Sequence, residues 1–259
     1  MKRPKLFLAA IAIAFTLNAT AQDKNLFNHL SVAYTLGTDG LFGIDVASPI
    51  GDYVAVRAGY TFMPKFKADV DVDYNYNNQD WTSTIQGKLN MGNFKLLFDV
   101  YPIKNNSFHV TAGAYIGTSK LVEAASKGAL EGIDPNDWGT AKVQISDNPE
   151  NMFGTDPEGR VKGRATVNSF KPYLGVGFGR VVSNKFCNVS CDLGVQFWGT
   201  PKVEMYDYKA VYLPSEKPWK ELKKSDFNDH DDDGYKALNT ASKISVWPVL
   251  NVRVAFRAF

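Results

Sequence analysis

Asp229-His230-Asp231-Asp232-Asp233-Gly234 sets carboxylates at alternate positions ahead of a glycine. That is how a Ca²⁺ loop begins, with oxygen ligands two apart and a glycine for the sharp turn. Lys236 stands where an apolar residue is usual, and Thr240 where a bidentate Glu is required. An EF-hand is therefore excluded, and what remains is weak Ca²⁺ binding by Asp229, Asp231 and Asp233; no other cofactor is expected. Catalysis has little to work with. The chain has 3 histidines, His29, His109 and His230, and no Gly-x-Ser-x-Gly elbow, metal-binding His pair or phosphate-cradling glycine loop. An enzyme is not expected. Cys187 and Cys191 stand four apart in an extended stretch. At ~3.3 Å per residue that is about 13 Å, beyond the ~7 Å reach of a disulfide, so they read as buried apolar thiols.

A second set of charges is scattered singly: Asp45, Asp99 and Asp192 with Arg57, Lys95, Lys171, Arg253 and Arg257. Each sits among glycines, serines and threonines at every second position of an otherwise apolar stretch. The chemistry open to such a set is mutual pairing, and the elements that carry it decide whether pairing occurs.

Those elements follow a period of two. Leu30, Val32, Tyr34 and Leu36 alternate with His29, Ser31, Ala33 and Thr35. The same alternation recurs over 42–47, 54–62, 93–100, 108–116, 170–179, 187–197 and 244–257. These eight segments run to about nine to fifteen residues, enough for the 9–11 of a tilted membrane strand. Pro172 and Pro248 lack the N–H of a ladder and are expected at bulges or breaks. Residues 119–132 and 215–224 have short helix-like composition, and 68–81 alternates Asp69, Asp71 and Asp73 with Val70, Val72 and Tyr74, which reads as a hairpin extending two strands.

The connections are lopsided: 51–52, 102–106 and 181–185 are short, whereas the others, 63–83, 119–165 and 199–242, are long apart from the first, a tight turn at 38–40. An antiparallel barrel with tight turns on one side and large loops on the other has this pattern. Ahead of it, Met1-Lys2-Arg3-Pro4-Lys5, an uncharged run from Leu6 to Leu17, and Ala19-Thr20-Ala21 form a signal peptide over 1–21, cleaved before Gln22, with the barrel at 22–259. Its apolar run is too short for the ~20 residues of a spanning helix. Removing Lys2, Arg3 and Lys5 from the 29 basic residues leaves 26 against 27 acidic ones, and a near-neutral chain makes no electrostatic case for nucleic acid.

Alternation does not say which face is inside. Small residues (Gly43, Gly59, Gly113, Gly175, Gly177, Gly179, Gly194) share the polar face with the scattered charges, which suits a narrow eight-stranded interior. Lipid then meets the apolar face, and Tyr60, Phe62, Tyr101, Phe108, Phe197, Trp198, Trp247 and Phe256 form interfacial girdles. With the Phe98-Asp-Val-Tyr-Pro102 run and the terminal Phe259, the chain resembles the eight-stranded outer-membrane barrels of Gram-negative bacteria, similar to the barrel domain of outer-membrane protein A. The resemblance implies an all-β, closed, up-and-down transmembrane barrel in the outer membrane, with short periplasmic turns and long extracellular loops. It implies outer-membrane lipid and the barrel-assembly machinery as partners, the latter reading a terminal aromatic signal, Phe259 or Phe256. It also implies a structural role, with surface contact to an extracellular ligand or host through the loops. A narrow porin-like channel and a soluble lipocalin-like barrel with an apolar cavity are the alternatives.

Overall fold

The computed structural model describes residues 29–76, 79–104, 106–144, 152–182, 185–208, 218–228 and 233–258. The expected signal peptide, 1–21, lies outside the described residues. In chain order the strands are β1 (Ser31–Gly37), β2 (Gly40–Ile50), β3 (Val54–Phe62), β4 (Phe66–Tyr76), β5 (Gln79–Leu89), β6 (Gly92–Val100), β7 (Phe108–Gly117) and β8 (Lys120–Ser126). Then follow β9 (Lys142–Gln144), β10 (Met152–Gly154), β11 (Lys162–Thr166), β12 (Phe170–Phe178), β13 (Cys187–Phe197), β14 (Lys202–Tyr206), β15 (Trp219–Glu221), the helix α1 (Asp233–Lys243) and β16 (Val246–Arg257).

Eight strands close an antiparallel barrel in the order β1-β16-β13-β12-β7-β6-β3-β2. They coincide within a few residues with the eight alternating segments, because a strand with one apolar and one polar face tolerates no register slip. In β12, Phe170, Pro172, Leu174, Val176 and Phe178 face out while Lys171, Tyr173, Gly175 and Gly177 are buried inside. The polarity is inverted relative to a soluble protein. Leu96, Leu193 and Phe178 are 51%, 58% and 63% exposed on the barrel exterior, whereas Arg57, Asp99 and Arg253 are buried within. A water-soluble barrel with an apolar cavity would have the opposite arrangement. An apolar outer belt around a charged, closed interior is how β-strands span a membrane, with every backbone group paired inside the wall. The chain folds as a closed membrane-spanning β-barrel.

Two rings of aromatics mark the ends of the belt. Phe42–Phe62 (6.0 Å between centroids) and Tyr60–Phe94 (4.8 Å) lie near one rim, Phe108–Phe178 (5.5 Å) and Phe186–Phe256 (5.9 Å) near the other. Tyr101 and Trp198 do not belong to them: both are buried, facing inward, where their polar atoms find partners. Cys187 and Cys191 are free and exposed on the outer face, so they are apolar thiols turned toward lipid, not toward a protein core.

Pro172 and Pro248 sit in unbroken ladders, opposite Ala114 and Val195 respectively. No bulge is needed, because each lies past the end of its other ladder: β12–β13 pairing begins at Tyr173, and β1–β16 pairing ends at Asn251. The missing N–H falls where no neighbour asks for it.

On the loop side the wall continues as an open six-stranded sheet, β15-β14-β11-β8-β5-β4, with a separate β9–β10 hairpin. The β4–β5 hairpin occupies 66–89, and the helix-like stretch at 119–132 is instead strand β8 over 120–126, paired with β5 and β11. Neighbouring strands that need a partner override its local composition. The 215–224 stretch likewise holds the short strand β15; the helix of this region is α1, at 233–243.

Candidate functional site: the lumen and its mouth

Alternation points the scattered charges at one another. Arg57 on β3 donates through Nη1 to Asp192 Oδ2 (2.7 Å) and through Nη2 to Asp99 Oδ1 (2.6 Å). Asp99 also accepts from Thr111 Oγ1 at 2.6 Å, and Asp192 Oδ1 lies 2.8 Å from His109 Nε2. In a second cluster, Arg253 Nε donates to Asp45 Oδ1 (2.7 Å), and Lys95 Nζ lies 3.2 Å from Asp45 Oδ2. Burying a single charge costs several kcal/mol, so these residues are tolerable inside only as a mutually neutralised set.

Of the eight candidate charges, six form these two clusters: Arg57, Asp99 and Asp192 in one, Asp45, Lys95 and Arg253 in the other. Lys171 stands apart near the loop-side mouth, donating to Asn93 Oδ1 (2.6 Å) and the Thr118 carbonyl (2.9 Å). Arg257 is at the opposite rim beside His29, 3.0 Å from its Nδ1. Asp229 and Asp231 lie outside the described residues, and Asp233 opens α1. The helix thus takes up the positions a cation loop would use from its fifth residue onward. Phe259 lies outside the described residues too, while Phe256 faces out, between Val32 and Cys187 in the ladder.

Sequence reasoning missed three inward groups. His109 was assignable to the polar face by parity, but its bond to Asp192 was not. Tyr101 lies beyond the end of β6, where parity gives no guidance. Val181 had no signal at all: the turn after β12 folds back into the barrel, and its carbonyl accepts from Arg253 Nη1 (2.6 Å) and Ser31 Oγ (2.9 Å). The Val181 N–H donates to Tyr101 Oη at 3.0 Å, and Val181 packs with Ala47, Ala55 and Tyr101 as a plug.

Asp99, His109 and Asp192 are close enough together to hold a metal ion. The Arg57 guanidinium already bridges the two carboxylates, and a metal would have to displace it. His109 is fully buried, so no solute reaches it for acid–base work.

Leu97, Tyr115, Tyr173 and Val249 form an apolar cluster within the lumen. A Cβ on Gly175 or Gly194 would come within 2.5 Å of Tyr173 Oη, so the two glycines make room for that ring. Above it, Met91, Val167 and Trp198 close the mouth, with Met63, Leu121 and Trp247 packed on them. Trp198 donates to the Ile244 carbonyl at 3.0 Å and Trp247 to the Thr38 carbonyl at 2.8 Å, which fixes both indoles. Buried side chains thus occupy the lumen at the Val181 end, around Tyr173 and at the Trp198 mouth.

The external sheet is anchored separately. Asp156 accepts from the Arg160 amide (2.8 Å) and the Glu158 amide (3.1 Å), and lies 3.0 Å from Lys162 Nζ. Burial pushes its carboxyl up, but the Arg160 amide and Lys162 outweigh it and hold the pKa below its usual value. Arg164 stacks over Trp219 at 4.0 Å, tying β11 to β15.

No family model matches the chain, and no curated protein matches it. Among solved structures it is similar to CarO2 of Acinetobacter baumannii, with 20% identity and a TM-score of 0.47 over 90% of this chain and 99% of that one. CarO of the same organism gives 19% and 0.42 over 87% and 96%. A major outer membrane protein of Thermus thermophilus gives 15% and 0.37 over 88% and 98%.

Proposed function

We propose that this protein is a closed outer-membrane barrel whose work is done by its external face, with short turns in the periplasm and the β4–β15 sheet outside the cell. The observation that carries this reading is the filled lumen. Arg57 spans it to Asp192, Val181 plugs one end and Trp198 with Met91 caps the other. Eight strands enclose a space that side chains can fill, and these do. Lipid is the partner of the outer belt, and the assembly machinery would read the C-terminal aromatics, Phe256 or Phe259. What the protein meets outside is a ligand or surface presented to the six-stranded sheet, and its role there is structural and adhesive, not catalytic.

The competing reading is a narrow channel lined by Arg57, Lys95, Arg253 and their acids. Reconstitution of the purified protein into a planar bilayer separates the two. A plugged lumen gives no steady current at any voltage the bilayer survives. Reproducible single-channel steps from the unmodified protein would overturn the closed-barrel reading.

A further inference from the structure

Two side chains in the mouth are left in environments that water or a neighbour normally relieves. Lys171 is buried, and among the described residues its two contacts, Asn93 Oδ1 and the Thr118 carbonyl, are neutral. Arg57, Lys95 and Arg253, the inward cations of the two clusters, each have a carboxylate beside them. An ammonium has three N–H donors, so among the described residues one of those on Lys171 has no acceptor. Gln196 is 0% exposed, yet among the described residues neither its Oε1 nor its Nε2 has a hydrogen-bond partner. A buried amide left in that state costs on the order of a lost hydrogen bond for each orphaned group.

The two are neighbours. Gln196 stands opposite Tyr173 in the β12–β13 ladder, and Lys171 is two residues further along β12 on the same inward face. Both line one crevice with Asn93, Thr118, Met91 and Trp198. In this conformation the crevice is too tight for a water molecule. Met91 forms part of its lining, and an unbranched thioether turns aside more readily than any other wall of the site.

We propose that this crevice is a binding site for a small monoanion, a halide or a short carboxylate, held between the free Lys171 N–H and the Gln196 Nε2–H. One occupant supplies both the countercharge that the ammonium lacks and an acceptor for the amide N–H. The chemistry selects against cations, which would meet Lys171, and against bulky anions, which the indole of Trp198, fixed by its bond to the Ile244 carbonyl, excludes. The site lies at the loop-side mouth and so rests on the reading above only for which side of the membrane it opens to. Its test needs no knowledge of sidedness and no current through the barrel.

The test uses the whole protein in non-ionic detergent at constant ionic strength, with chloride, acetate or bulky gluconate as the sodium salt. Thermal unfolding and tryptophan emission are both followed, since Trp198 lines the crevice. Chloride or acetate is expected to raise the melting midpoint by about 2–4 °C over gluconate, saturably, and to shift the emission. Lys171→Met and Gln196→Leu should each abolish that difference. Gln196→Leu also removes the unpartnered amide, so in gluconate it should melt no lower than the parent. Identical melting of the parent in all three salts would overturn the proposal, and so would an unchanged salt response in the two variants. A Gln196→Leu protein that melts well below the parent in gluconate would show that the amide has a partner within the fold, which also refutes the site.

Discussion

Arg57 and Asp192 face each other across the full width of the barrel. They sit on β3 and β13, four places apart in a ring of eight, with Nη1 2.7 Å from Oδ2. Asp99, on the strand next to β3, completes the pair of carboxylates that the guanidinium holds. A single side chain thus cross-braces opposite walls.

Arg57→Met should be strongly destabilising, because it strands two buried carboxylates. The expected loss is about 3–5 kcal/mol. The triple variant Arg57→Met, Asp99→Asn, Asp192→Asn should recover most of it, since the two carboxylates that Arg57 held are then no longer charged. The unfolding midpoint in urea, read on detergent-solubilised protein, checks both. A triple variant no more stable than the single would mean that the bracing, not the charge balance, dominates.

Gly177 lies where a Cβ would come within 2.5 Å of Asp192 Oδ1 and collide with the His109 ring. Gly177→Ala should therefore push His109 off Asp192 and cost about 1–3 kcal/mol through overpacking. Gly51→Ala, at a turn with open space around the position but a φ of 75°, separates the two causes: its cost is backbone strain alone. The histidine Nε2 chemical shift should move in the first variant and stay in the second.

These relationships show how far the sequence could be read. The barrel was legible because strict alternation over β3, β12 and β13 fixes which side chains share a face, and because single charges on an apolar strand have one safe direction. Pairing within the lumen was not legible. Whether Arg57 meets Asp99 or Asp45 depends on the stagger of the strands, which period two does not encode. The Val181 plug and the β8 strand were hidden for a related reason. Both are imposed by neighbours, Tyr101 and Arg253 in one case and β5 and β11 in the other, and neither leaves a local signature.

The lipid belt makes its own prediction. Leu96, at the middle of β6, is 51% exposed on the outer face. Leu96→Arg should cost about 2–4 kcal/mol at the membrane midplane, whereas Leu96→Met should be nearly neutral. Folding yield into lipid vesicles from urea checks it. Equal yields for Arg and Met would mean that this face does not meet lipid.

The external sheet should respond to acid independently of the barrel. The folded pKa of Asp156 lies below its unfolded value of ~3.9, so its contribution is present above that value and lost as pH falls through the lowered one. Hydrogen exchange at the Glu158 and Arg160 amides, corrected for intrinsic rate, should stay protected from neutral pH down to about 4. Protection should then fall off below it. Asp156→Asn should remove that pH dependence while the barrel amides remain unchanged.

Gel mobility in SDS tests the closed, inside-out barrel most directly. Closing the sheet leaves no unpaired edge for detergent to open, so a membrane barrel keeps its fold in SDS until heated. Protein extracted from the outer-membrane fraction should migrate as a compact band unboiled and shift to its chain mass after boiling. A protein that stays in the soluble fraction and migrates identically with and without heat would contradict the membrane barrel and every assignment built on it.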